Sequence, residues 1–143
     1  MGIEQSTEHP EVFEFEGKSQ AVSFVETLSV VEGVECDVYT FVGDDTKDLG
    51  IIRIEPGFST PIQRVLQGLR TIEGYVSGEG QLIITRSNDQ WEVYQVNERV
   101  SEKPSIDVNI GDLMQWQATG SSRLVAYEVC IPPYQDGRYE NIE

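Results

Sequence analysis

Glu73 and Tyr75 stand two residues apart, so on a strand both side chains would leave the same face. Burial would raise the Glu73 carboxyl, and the two could then serve as an acid–base pair. The competing reading makes Glu73 a buried hydrogen-bond acceptor or an exposed carboxylate. Other reactive sets are missing. The single histidine, His9, lies in the N-terminal tail, which leaves no Ser–His or Cys–His pair for the body of the fold. Gly78-Glu79-Gly80 carries no lysine and reads as a strand turn, not a phosphate cradle. Cys36 and Cys130 are isolated and read as buried thiols. The run from Gly43 to Asp48 holds three aspartates, but without the EF-hand order it reads as a solvated turn.

The elements that would position these residues are short and strand-like. Phe13 and Phe15 alternate with Glu14 and Glu16. Val34 to Val42 is rich in strand formers, and Ile51 to Glu55 alternates again. Ala21 to Val31 fits either a helical face or short strands. Leu82 to Thr85 and Trp91 to Val96 read as a hairpin across Arg86 to Gln90. Ile106 to Ile110, Leu113 to Gln117 and Leu124 to Ile131 follow as strands, and the tail from Pro132 to Tyr139 is unfit for a central one. Trp91 and Trp116 are expected in the core. Evenly spaced turns between many short strands predict a barrel or sandwich.

Between Pro56 and Gly80 local rules conflict with a wider pattern. Thr60 and Gln63 could form a capping box with Pro61 at the first helical position, and Ile62, Val65, Leu66, Leu69 and Ile72 keep a helical spacing. Gly68 weakens such a helix by roughly 1 kcal/mol relative to Ala. Yet Pro56-Gly57 before the segment and Gly78-Glu79-Gly80 after it resemble the frame of the first cupin signature. Gly111-Asp112-Leu113-Met114-Gln115-Trp116 resembles the opening of the second, and the tail CIPPYQDGRYENI is similar to the ends of small cupins. The resemblance spans about Gly50 to Tyr139. It implies an all-β, single-domain cupin-type β-barrel (a double-stranded β-helix, or jelly-roll) over 11–143, behind a flexible polar terminus over 1–10. It also makes the segment after Pro56-Gly57 extended, and that reading is adopted here.

The resemblance further implies a metal site whose ligands this chain does not retain. The family's two histidines fall on Gln63 and Val65, its glutamate on Thr71 or Glu73, and its last histidine on Ser122. No metal and no cofactor is therefore expected. What remains implied is a cavity lined by Gln63, Thr71, Glu73, Tyr75, Gln115, Gln117 and Ser122, suited to a neutral or hydroxyl-rich small molecule. Arg53 and Arg123 could add an anion contact from strand sides the sequence leaves open.

The chain of 143 residues suits one domain, and 25 Asp and Glu against 10 Lys and Arg give a formal charge of -15. That charge repels phosphate backbones and anionic lipid, so neither nucleic acid nor membrane is an expected partner. Met1 to Pro10 is polar and no apolar run is long enough to cross a bilayer, so a cytoplasmic location is expected. The leading expectation is a metal-free barrel that binds a polar, sugar-like small molecule. The alternatives are a metal-independent isomerase, cyclase or lyase using Glu73 and Tyr75, and an interaction protein forming a homodimer through Val34 to Val42.

Overall fold

A computed structural model describes residues 9–100 and 103–142. Among them there are twelve strands and no helix: β1 (Val12–Phe15), β2 (Lys18–Val31), β3 (Val34–Phe41), β4 (Asp44–Ile54), β5 (Ile62–Val65), β6 (Arg70–Ser77), β7 (Gly80–Thr85), β8 (Trp91–Val96), β9 (Ser105–Asp107), β10 (Leu113–Ala118), β11 (Leu124–Ile131) and β12 (Tyr139–Ile142). They form a seven-stranded sheet in the order β1-β2-β3-β4-β11-β6-β9 and a five-stranded sheet in the order β12-β5-β10-β7-β8. Every pairing is antiparallel, and β11 returns to lie between β4 and β6, the crossover habit of a jelly-roll.

Alternation along the strands builds the interior. Val34, Ile52, Ile54, Tyr75, Leu124 and Ala126 from the large sheet meet Val65, Leu82, Ile84, Met114, Trp116 and Ala118 from the small one. The large sheet is also covered on its outer face. There Phe15, Val22, Tyr39, Phe41, Leu49, Ile72 and Val129 form a second apolar cluster. Phe13 and Phe15 meet the Tyr127 ring edge-on at 5.0 and 6.3 Å, although β1 and β11 are four positions apart in the sheet. The β1–β2 hairpin therefore curls across the back of the sheet. Arg70 on β6 reaches Glu16 in the turn of that hairpin at 3.0 Å.

The ambiguous stretch from Ala21 to Val31 is one strand with a bulge. Phe24 pairs with Tyr39, but Glu26 pairs with Val38, so Val25 has no partner. The extra residue swaps faces. Val22 and Phe24 point to the outer cluster, whereas Glu26 and Leu28 point inward. A strand that changes sides midway loses its period of two, which is why its apolar residues also fit a helical spacing.

Ile62 to Val65 is extended, as the cupin frame implies, and pairs with β10 on one side and β12 on the other. The capping-box reading fails because Thr60 is tied to the neighbouring strand β10. Its hydroxyl accepts from the Trp116 backbone N–H at 2.9 Å. Gly68 belongs to the turn that follows, at φ +120°, where its Cα faces the Arg138 guanidinium.

Two other expectations are corrected. The turn expected over Gly43 to Asp48 is confined to Val42-Gly43, and Asp44 onward is strand. Asp44 is held locally by Thr46 and by Lys47 at 2.6 Å. Trp91 is 70% exposed on β8 and lies outside the core. Within Val34 to Val42, Val34, Tyr39 and Phe41 are buried within this chain and Val42 is exposed. The tail keeps out of any central position, as expected: β12 begins after the prolines and pairs only at the edge of the small sheet. Residues 1–8 of the expected polar terminus lie outside the described residues; His9 stacks on Phe24 with ring centroids 3.7 Å apart.

Candidate functional site

The interior opens into a cavity of about 500 Å³. Inward positions of β3, β4, β6, β10, β11 and β12 supply its walls, and the end of β2 with Tyr134 supplies partly exposed lining. Glu73 stands at its base, 1% exposed. Trp116 on β10 donates its indole Nε1–H to Glu73 Oε1 at 2.7 Å. Glu73 Oε2 has no hydrogen-bond partner from another donor among the described residues.

Across the ladder, Glu128 on β11 is the direct partner of Glu73 on β6. Paired residues share a face and bring their Cβ atoms to within about 5 Å, so the two carboxyls meet in the cavity. Burial raises the Glu73 carboxyl well above its ordinary range, and the Glu128 charge raises it further. The indole N–H opposes this without reversing it. Burial beside a second carboxyl thus favours the neutral acid form of Glu73.

The β12 edge completes the cluster. The Tyr139 hydroxyl donates to Glu128 Oε2 at 2.9 Å and lies 3.2 Å from Cys130 Sγ. Burial, then the Glu128 charge, pushes the Tyr139 phenol upward. The same two causes raise the Cys130 thiol, and burial followed by Glu128 raises the Cys36 thiol on the facing wall. All three stay neutral through the physiological range. Asp48 on β4 also lines the cavity; it is raised by burial, against a backbone N–H donated by Tyr134 at 3.0 Å.

Of the residues picked from the sequence, Glu73 and Gln63 face this cavity. Gln63 lies opposite Met114 and donates to Asn141 Oδ1 at 3.1 Å. Thr71 shares the Glu73 face but is buried beneath the Arg138 guanidinium, which donates to its Oγ1 at 2.9 Å. Tyr75 is buried in the inner cluster, and its hydroxyl donates to Gly78 O at 2.6 Å, closing the β6–β7 turn. It has no contact with the cavity and does not pair with Glu73. Gln115 contributes to the cavity edge, but its amide donates outward to Thr60 O at 2.9 Å.

Gln117 belongs to a chain of amides along the outer face of the small sheet. Gln95 donates to Gln81 at 2.7 Å, Gln81 to Gln117 at 2.6 Å, and Gln117 to Gln115 at 3.1 Å. Ser122 is exposed in the β10–β11 turn. Arg53 is tied to Asp37 at 2.8 Å and Arg123 to Glu55 at 3.0 Å, both away from the cavity. The sequence reading missed Glu128, Tyr139, Cys130 and Asp48 as a group. Inward alternation along Leu124, Ala126, Glu128 and Cys130 was the signal available for two of them.

No family model and no curated protein matches the chain. Solved structures do. The capsular polysaccharide assembling protein CapF from Staphylococcus aureus superposes with a TM-score of 0.61 at 14% identity, over 85% of this chain and 34% of that one. A variant of Bacillus subtilis oxalate decarboxylase superposes with a TM-score of 0.67 at 14% identity, over 82% of this chain and 30% of that one. The fold is cupin-like. This cupin-like barrel spans about a third of the length of the chains it matches.

The metal that such a frame implies does not fit these residues. Gln63 is paired with Asn141, Val65 is core, Thr71 serves Arg138, Glu73 is a neutral acid on Trp116, and Ser122 is outside. Among the described residues no group of three or more His, Cys, Asp or Glu side chains is placed to hold an ion.

The raised Glu73 carboxyl has a signed effect on stability. Glu73 binds a proton more readily folded than unfolded, so its contribution is complete below the ordinary value of 4.5 and is lost as pH rises through the raised folded value. The melting temperature should therefore fall as pH climbs from about 5 to 8. Glu73→Gln, which is neutral at every pH, should flatten that fall in thermal melts across the range.

Proposed function

We propose that this cupin-like barrel binds a small polar molecule in its interior. The observation that carries the reading is the cavity of about 500 Å³ with the Glu73–Glu128 carboxyl pair at its base. That volume suits a metabolite-sized ligand, and a few convergent polar groups among apolar walls are what such sites use for orientation. CapF and oxalate decarboxylase supply the fold-level precedent only. A thermal-shift screen of small polar metabolites at millimolar concentration tests it. A true ligand at 100 times its Kd should stabilise by about 2.7 kcal/mol, a shift of several degrees. A screen with no stabilising compound would count against the reading.

A catalytic reading draws on the same pair. A carboxylic acid kept neutral by burial beside a second carboxylate suits proton transfer without a metal, with Glu128 in the place first given to Tyr75. Unchanged turnover of an identified substrate by Glu73→Gln would remove it.

A further inference from the structure

We propose that the ligand of this cavity carries an ammonium group, seated between Glu73 and Glu128; this rests on the reading of the barrel as a small-molecule binder. The first observation is the sign of the lining. Glu26, Asp48, Glu73 and Glu128 line the cavity, and no lysine, arginine or histidine does. An anionic ligand would meet carboxyls and no counter-charge.

The nearest buried cation is turned elsewhere. Arg138 donates to Pro132 O at 2.8 Å, Arg70 O at 2.6 Å and Thr71 Oγ1 at 2.9 Å, behind the start of β6. The second observation is independent of charge count. Glu73 Oε2 is buried at the cavity base and accepts from nothing among the described residues. An ammonium offers three donors on one centre, enough to reach this oxygen and the facing Glu128 together. Val34, Ile52, Met114 and Trp116 leave apolar wall for the organic part of the ligand.

The exchange balances. Without ligand, burial beside Glu128 favours a proton on Glu73. When an ammonium enters, that proton leaves to solvent, Glu73 becomes a carboxylate, and the N–H donors take the proton's place. Affinity should then rise with pH while Glu73 is still protonated in the free protein. The groups facing Glu73 are Glu128 and Cys130 on β11, Cys36 on β3, Asp48 on β4, Glu26 on β2, Tyr139 on β12 and the Trp116 indole on β10. Both thiols and the phenol are pushed upward, away from the range of interest.

Three probes of one shape separate the possibilities: benzylamine, benzyl alcohol and benzoate, titrated by calorimetry into the full chain. Benzylamine should bind at least about tenfold tighter than benzyl alcohol, and benzoate should give no measurable heat. Benzylamine binding should tighten from about pH 6 to 8 and release a proton, read from the difference between buffers of unlike ionisation heat. Glu73→Gln should bring benzylamine to the level of benzyl alcohol. Glu128→Gln, on the less buried partner, should weaken it in the same direction and serves if the first variant does not fold. Benzyl alcohol or benzoate binding as tightly as benzylamine would overturn the ammonium assignment and leave small-molecule binding standing. Failure of all three, with wild-type protein folded, would overturn both.

Discussion

Trp116→Ala should cost about 3–5 kcal/mol of folding stability, the range for removing a large buried aromatic. Trp116 is 2% exposed and belongs to the inner cluster. Its loss also strips the only N–H among the described residues that is donated to the buried Glu73 Oε1. Against a total of roughly 5–15 kcal/mol for a domain, the variant should be largely unfolded or close to it in urea titrations. Trp116→Phe divides the effect. It keeps most of the burial and deletes the donor, so about 1–3 kcal/mol is expected, the penalty for an orphaned buried acceptor. That remainder should grow as pH rises through the raised Glu73 value, because a carboxylate needs the indole more than the protonated acid does.

Arg138→Met should be nearly as damaging, by about 3 kcal/mol or more. The guanidinium is 2% exposed, and its N–H groups satisfy Pro132 O, Arg70 O and Thr71 Oγ1 in one fork. A thioether of similar length deletes all three of these hydrogen bonds and leaves the buried Thr71 hydroxyl without its donor. Arg138→Lys should recover little, since a single ammonium does not reproduce the planar fork. Gly68 is bound to the same group: a Cβ there would stand 2.5 Å from Arg138 Nη2 at a φ of +120°. Gly68→Ala should therefore destabilise by the same route. Hydrogen exchange at the amides of Tyr139 to Ile142 checks both, because β12 carries Arg138 into place and should loosen first.

The sequence made the barrel legible where strands alternate without interruption. Leu82 and Ile84, and Met114 and Trp116, are inward-facing pairs that period-two reading finds. The frame of spaced turns placed Ile62 to Val65 in a strand against a local helical pattern, because pairing on both edges outweighs propensity. The β2 strand was not legible, since a one-residue bulge at Val25 exchanges its faces. Half of the site was hidden for a related reason. Glu73 could be found from its own segment, but Glu128 meets it only through the β6–β11 pairing, 55 residues on, and Tyr139 arrives from a tail whose prolines argue against a central strand. Gln117 misled because its neighbours, not its type, decide its side: Met114 and Trp116 are inward, so Gln115 and Gln117 are not.

The large sheet is clad on its convex back by the curled hairpin and its aromatic rings. That cladding bears on how the hollow side can diverge. A sheet anchored from behind does not depend on a filled lumen to stay folded, so positions near the opening such as Leu28 and Gln63 are under little packing constraint. Related barrels could exchange those side chains for new recognition chemistry while the wall holding them keeps its shape.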